Sequence, residues 1–181
     1  MEPLSFKISS GWTISVLILI IYYVPMMFGK KEKIKQIIDY SFCTYGKLFL
    51  SVLWMGMFFP IVYGIFLDID FGSASFYTGA VFMILGTVTY VVSIISYLGT
   101  PPDQPIIKGM YRISRNPLYV TGTVISIGMA FILHSWIIGI SISVNVILQH
   151  FVILDEERFC AKKYGDSYLK FKEKIPRYLF F

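Results

Sequence analysis

From Leu118 to Leu154 the chain runs for 37 residues without an Asp, Glu, Lys or Arg. One membrane crossing takes about 20 apolar residues and tolerates roughly 17 to 25, so this stretch is too long for a single span. His134-Ser135 divides it. The expected structure is a tight helical hairpin with limbs Leu118–Leu133 and Trp136–Leu154, the first short enough to sit low in a bilayer. Three more apolar runs precede it: Trp12–Phe28, Phe42–Leu67 with a Pro60 expected to kink it, and Phe76–Leu98. The first has no small-residue cleavage site and reads as a retained span rather than a signal peptide. Lipid excludes unpaired backbone, and no alternating β-barrel pattern is present. The expected fold is therefore an all-α integral membrane protein with five transmembrane helices. Residues 1–98 carry three of them. Residues 99–181 carry a connecting loop, the hairpin and a helical tail.

Charge supports the same reading. Of the 181 residues only 15% are charged, against about 25% in soluble domains. Lys30, Lys31, Lys33 and Lys35 follow the first run, Lys108, Arg112 and Arg115 follow the third, and Arg158, Lys162, Lys163, Lys170, Lys172, Lys174 and Arg177 follow the hairpin. These fourteen of the sixteen basic residues fall on one side. Lys7 falls on the other with Asp68 and Asp70, and Lys47 can snorkel from the start of the second span. The positive-inside rule then places the N-terminus outside and the C-terminus in the cytoplasm. The net charge of +5 is thus a topology signal, and a nucleic-acid partner is not expected. Cys43 and Cys160 lack the spacing of a disulfide framework or a metal site. Gly56 and Gly64, Gly79 and Gly86, and Gly122, Ser126 and Ala130 are small-residue stripes of the kind that let membrane helices approach closely.

Three segments carry polar chemistry to the cytoplasmic face. Lys108–Gly122 holds Gly109, Tyr111, Arg115, Asn116, Pro117 and Tyr119. Gly99–Pro105 cannot be helical, because Pro101, Pro102 and Pro105 remove donors and restrict their neighbours. Asp155-Glu156-Glu157 directly follows the last apolar run, inside a helix expected to continue to Tyr164 and to be capped by Gly165. Asn145, Gln149 and Glu156 share one face of that helix, as do His150 and Glu157. Such a stripe suits a pocket wall, although His150 reads more readily as an ordinary hydrogen-bonded histidine. Carboxylates hold an ammonium, arginines hold a carboxylate or phosphate in two-point fashion, and tyrosines and isoleucines wall an aromatic ring. S-adenosylmethionine, a zwitterionic amino acid joined to a nucleoside, offers all of these handles. A dinucleotide phosphate fits too, with less use for the acidic pair. No Gly-rich strand–turn–helix fingerprint of a Rossmann site is present.

In order and spacing, Gly109-Met110-Tyr111, Arg115-Asn116-Pro117-Leu118-Tyr119, Gly122, Glu156-Glu157, Tyr164-Gly165-Asp166-Ser167-Tyr168 and Pro176-Arg177 resemble one family. It is that of the membrane methyltransferases related to isoprenylcysteine carboxyl methyltransferase and phospholipid N-methyltransferase. The resemblance covers the half from about Gly99 to Arg177; the first three spans match in hydropathy alone. It implies an S-adenosylmethionine pocket at the cytoplasmic surface formed by Ile106, Ile107, Gly109, Tyr111, Arg115, Asn116, Pro117, Tyr119, Glu156 and Glu157. It also implies a lipophilic or small-molecule methyl acceptor reached through the bilayer, with membrane lipids as partners. In that reading one carboxylate of the pair holds the cofactor's ammonium, Arg115 holds its carboxylate, and Gly109 lets backbone approach closely. His150 takes a proton from the nucleophile. Two departures from the pattern stand out. Many relatives have a histidine before the Ile106-like position and another in place of Asn116, and neither is present. Val152 stands where the prenylcysteine enzymes carry an arginine, which points away from a free-carboxylate acceptor. An NADPH-dependent membrane reductase of the sterol-reductase type and a non-enzymatic membrane scaffold with lipid-binding basic loops are the alternatives.

Overall fold

The computed structural model describes residues 10–38 and 46–179, with side chains for 10–35 and 54–179. The expectations for Lys7, Cys43 and the side chain of Lys47 lie outside the described residues. The chain forms α1 (Trp12–Met27), α2 (Lys31–Ile38), α3 (Gly46–Gly64), α4 (Ala74–Leu98), α5 (Pro117–Ile132), α6 (Trp136–Tyr164) and α7 (Asp166–Lys174). A single 3-10 turn covers Gly109–Arg112. No strand occurs among the described residues. The all-helical expectation is met. Of the five expected spans, α4 and α6 are long and apolar enough to cross a membrane, while α1, α5 and the searched part of α3 (Trp54–Gly64) are shorter apolar helices.

Local chemistry explains the boundaries. Ser73 caps α4 by accepting from the Phe76 amide at 3.1 Å, and Ser135 caps α6 by accepting from the Ile138 amide at 3.4 Å. Pro117 opens α5 in its first turn, where a missing amide hydrogen is harmless. Between α5 and α6 His134 turns left-handed, with φ at 46°, and the Ser135 amide reaches back to the Ala130 carbonyl at 3.0 Å. The two-residue break predicted at His134-Ser135 is therefore a real reversal. Beyond Leu154 the last ten residues of α6 are mostly charged, and Gly165 ends the helix at a φ of 55°.

The most extensive packing joins α4 to α5. A Cβ at Gly79 would sit 2.6 Å from the Gly128 carbonyl oxygen, and one at Gly86 would sit 2.8 Å from Ile125 Cγ1. On the α5 side the close approach is made by Gly128 rather than by the predicted Gly122, whose Cβ position has only the Tyr22 hydroxyl nearby, at 3.5 Å. α3 lies on α6, with Gly56 receiving the buried Asn145. Ile94, Ile125, Met129 and Ile138 are fully enclosed at the centre. Large apolar side chains also cover the outside: Val81, Ile84, Leu85, Val88 and Ile95 stand exposed along α4. A continuous apolar exterior of this kind suits hydrocarbon rather than water.

The bundle has two unlike ends. At one, the Gly11 amide donates to the Leu67 carbonyl and the Ile69 amide to Ser10 Oγ, tying α1 to the α3–α4 connection. At the other, α2, the 99–116 loop, the end of α6, α7 and the returning segment 175–179 come together.

Candidate active site

The 99–116 loop is fastened before it reaches the site. Lys108 Nζ donates to the Gly99 carbonyl at 2.9 Å, a cation at the C-terminal end of α4. Gly109 adopts a φ of 59°, and Ser96 Oγ occupies the place a Cβ would take. Both facts require glycine there. The close approach expected of Gly109 is thus to α4. The 3-10 turn that follows buries Tyr111.

Ser114, Arg115 and Asn116 then receive the chain as it returns from α7. The Arg115 amide donates to the Pro176 carbonyl at 2.9 Å, Ser114 Oγ donates to the Arg177 carbonyl at 3.0 Å, and Asn116 Nδ2 donates to the same carbonyl at 3.3 Å. Asn116 sits at the N-cap of α5 yet makes no side-chain cap. Its amide group is used across the site instead, donating also to Glu157 Oε1 at 3.2 Å.

The two glutamates face different surroundings, because successive residues of a helix diverge by about 100°. Glu157 is 2% exposed and heavily partnered. Arg177 takes it from both sides, Nε to Oε1 and Nη2 to Oε2, each at 3.1 Å. Arg115 Nη2 lies 3.4 Å from Oε1 and Lys172 Nζ 4.0 Å from Oε2. The bond to Glu157 is the main cause that raises the Arg177 guanidinium above its ordinary value. Glu156 accepts from the Tyr119 hydroxyl at 3.0 Å. Among the described residues it has no cation within 4.0 Å. Burial raises its carboxyl above the usual 4.5, the Tyr119 bond opposes this, and the Glu157 charge adds to it.

Around Glu156 stands a group of phenols and a thiol. Burial, with Glu156 next, raises Tyr111 well above a free phenol, and Tyr97 and Cys160 contribute. Cys160 is pushed up to about 12 by burial and by Glu156, which leaves it a thiol. Tyr164 is lifted to about 12, burial first, and its hydroxyl donates to the Pro102 carbonyl at 3.2 Å.

The structure therefore brings Tyr111, Arg115, Asn116, Pro117, Tyr119, Glu156 and Glu157 together. Ile106, in the loop before them, is half-buried, while Ile107 is 57% exposed. His150 is engaged at Nδ1 by the Tyr178 hydroxyl at 2.7 Å. Gln149 bonds Asn145, and Asn145 is spent on packing against α3. Asp155 pairs with Arg158 at 2.9 Å. Sequence reasoning missed Arg177, Ser114, Lys172 and Tyr178 as members of the site. The Pro176-Arg177 motif was the available signal for the first of these.

A family model described as phospholipid methyltransferase matches residues 48–167. No curated protein and no solved structure matches the chain.

Proposed function

The chain belongs to the phospholipid methyltransferase family, and on that premise we propose that it is a multi-pass membrane enzyme using S-adenosylmethionine to methylate a lipophilic or small membrane-accessible nucleophile. The acceptor atom belongs to a carboxylate, amine or thiol. In this reading the five spans are the apolar runs carried by α1, α3, α4 and α5 and by α6 up to Leu154, with Glu156 and Glu157 beyond the last of them. The basic end of the bundle faces the cytoplasm and the N-terminus lies outside.

The observation that carries the reading is the asymmetry of the glutamate pair. Glu157 is committed to Arg177, Arg115 and Asn116. Glu156 is a partly buried carboxylate with one phenol donor. Across the same site, the buried Arg115 Nε has no acceptor. A carboxylate awaiting a cation and a guanidinium donor awaiting an anion match the two charged ends of an amino acid, and in this respect the residues fit the cofactor. Glu156 rather than Glu157 is then the ammonium-binding member, and Arg115 holds the carboxylate. Ile106, Ile107, Gly109, Tyr111, Asn116, Pro117 and Tyr119 line the remainder.

When bound, S-adenosylmethionine supplies a sulfonium methyl group already activated for transfer. The chain's own task is to align the nucleophile and exclude water. Tyr111 and Pro117, both buried, keep the wall dry. With His150 Nδ1 donating to the Tyr178 oxygen, Nε2 keeps a lone pair and can take the nucleophile's proton. Val152 is fully buried and apolar. It offers no partner to an acceptor carboxylate, which favours an amine or thiol.

Calorimetric titration of the detergent-solubilised protein with S-adenosylmethionine tests the assignment. Glu156→Gln is expected to weaken binding by about ten- to a hundredfold, the worth of a hydrogen bond to a charged group. Glu157→Gln is expected to lower thermal stability more than affinity. Undiminished affinity in Glu156→Gln would sink the reading of that residue. Incubation with labelled S-adenosylmethionine and a membrane lipid extract identifies the fraction that gains label.

A further inference from the structure

His150 and Glu157 share one face of α6, two turns or about 10 Å apart along its axis. Two neighbouring residues of the returning segment take hold of both. Arg177 forks onto Glu157 at 3.1 Å, and the Tyr178 hydroxyl meets His150 Nδ1 at 2.7 Å. The His150 and Tyr178 rings are tilted by 35°, with centroids 6.1 Å apart. Both residues are half-buried, and 28 positions separate them in sequence. The backbone that presents Tyr178 is itself held: the Pro176 carbonyl accepts from the Arg115 amide, and the Arg177 carbonyl from Ser114 and Asn116. Tyr178 lies beyond the family-matched residues 48–167.

A phenol at one ring nitrogen has a consequence at the other. A neutral imidazole carries one proton, and the nitrogen that lacks it is the acceptor. With the proton on Nδ1 and donated to the phenol oxygen, Nε2 keeps its lone pair. With the proton on Nε2, Nδ1 accepts from the phenol and the ring offers no base at Nε2. Tyr178 stays a neutral phenol, which can accept: burial raises it most, Arg177 opposes and Glu157 adds.

We propose that Tyr178 is the positioning residue of His150: its oxygen accepts from Nδ1, fixes that tautomer and leaves the Nε2 lone pair for the methyl acceptor's proton. The inference rests on the methyltransferase reading above. The proton that the acceptor's nitrogen or sulfur loses on methylation passes to Nε2, giving an imidazolium whose Nδ1–H stays on the Tyr178 oxygen. Because Arg177 and Tyr178 are consecutive, one piece of chain sets both the base and the Glu157 cluster.

The chain has two histidines, which makes the test direct. His134 is exposed in a left-handed turn that asparagine tolerates, so His134→Asn leaves a single imidazole. Ring carbon and nitrogen shifts of the histidine-labelled full chain in detergent report its tautomer, at about pH 8.5 where an ordinary imidazole is neutral. With Tyr178 in place the proton is expected on Nδ1, and Tyr178→Phe should move it to Nε2. Transfer of label from S-adenosylmethionine to a membrane lipid extract is measured alongside. Tyr178→Phe should slow transfer about two- to tenfold, the worth of one neutral hydrogen bond, with cofactor affinity kept within about twofold. His150→Gln should slow it about a hundredfold or more. Adding Tyr178→Phe to His150→Gln should slow it no further, because the phenol acts through the imidazole. A proton on Nε2 with Tyr178 in place would overturn the proposal. So would an unchanged tautomer in Tyr178→Phe, or further slowing in the double variant, either of which marks a merely structural role. A parent that labels no fraction overturns methyl transfer itself, whereas the wrong tautomer in an active parent overturns this inference alone.

Discussion

Arg177 and Glu157 face each other as a two-point pair, with Nε on Oε1 and Nη2 on Oε2 at 3.1 Å each. The carboxylate is almost wholly enclosed and also receives Asn116 Nδ2. The backbone of Arg177 meanwhile accepts from Ser114 and Asn116. One arginine therefore holds three segments together: the loop before α5, the end of α6 and the chain returning from α7. A planar fork suits this task and a lysine does not.

Replacing Arg177 by methionine leaves Glu157 to Arg115, Asn116 and Lys172. We expect a stability loss of about 1.5–3 kcal/mol, the worth of hydrogen bonds to a charged group, read as a lower melting temperature in detergent. Arg177→Lys should fall between the two, keeping the charge without the fork. Combining Arg177→Met with Glu157→Gln should cost less than the two changes added separately. Strict additivity would show that the pair is uncoupled.

Gly109→Ala meets two obstacles at once, a left-handed φ of 59° and Ser96 Oγ standing where the methyl would go. The expected loss is at least about 1–3 kcal/mol from the backbone alone. Ser96→Gly in the same chain should restore the part due to collision and leave the part due to φ. Chemical-denaturation curves of the two single variants and the double variant separate the contributions.

The Glu156 carboxyl, raised chiefly by burial, sets the direction of a pH effect. A folded value above the unfolded one makes its contribution to stability fully present below the usual 4.5, and lost as pH climbs through the raised value. A cationic ligand needs the charged carboxylate, so its affinity should climb with pH over the same window and then level off. The slope should reach at most about tenfold per pH unit. Calorimetry below pH 7, where an α-ammonium stays charged, should show this rise in the parent and a flat profile in Glu156→Gln. A parent affinity that falls as pH rises would count against a cation at Glu156.

Hydropathy made the helices legible. The α5–α6 break at His134-Ser135, the run of α6 to Tyr164 and the Gly165 stop all follow from residue type and spacing. α2 was not anticipated. Its lysines were absorbed into a count of charge by side, which takes no account of Lys33, which turns inward and is 3% exposed. Helical spacing left open which glutamate of the pair meets a cation, because the partners that commit Glu157 come from Arg177 and Asn116 on other segments. Arg177 lies 20 residues beyond Glu157 across a reversal of the chain, and no helical periodicity relates them. Gly128 escaped the small-residue stripe because which face of α5 meets α4 depends on tertiary packing.

Ser114 and Arg177 are 63 residues apart, which gives the site a timetable. A ribosome adding about 5–20 residues per second delivers the second of them roughly 3 to 13 seconds after the first. The hairpin is made within that interval, and over its last 20 residues Glu157 lacks its main counter-charge. The newborn protein therefore passes through a stage in which the greasy scaffold is in place and the site is unfinished. A chain ending just before Pro176 would retain its apolar helices but never close this junction.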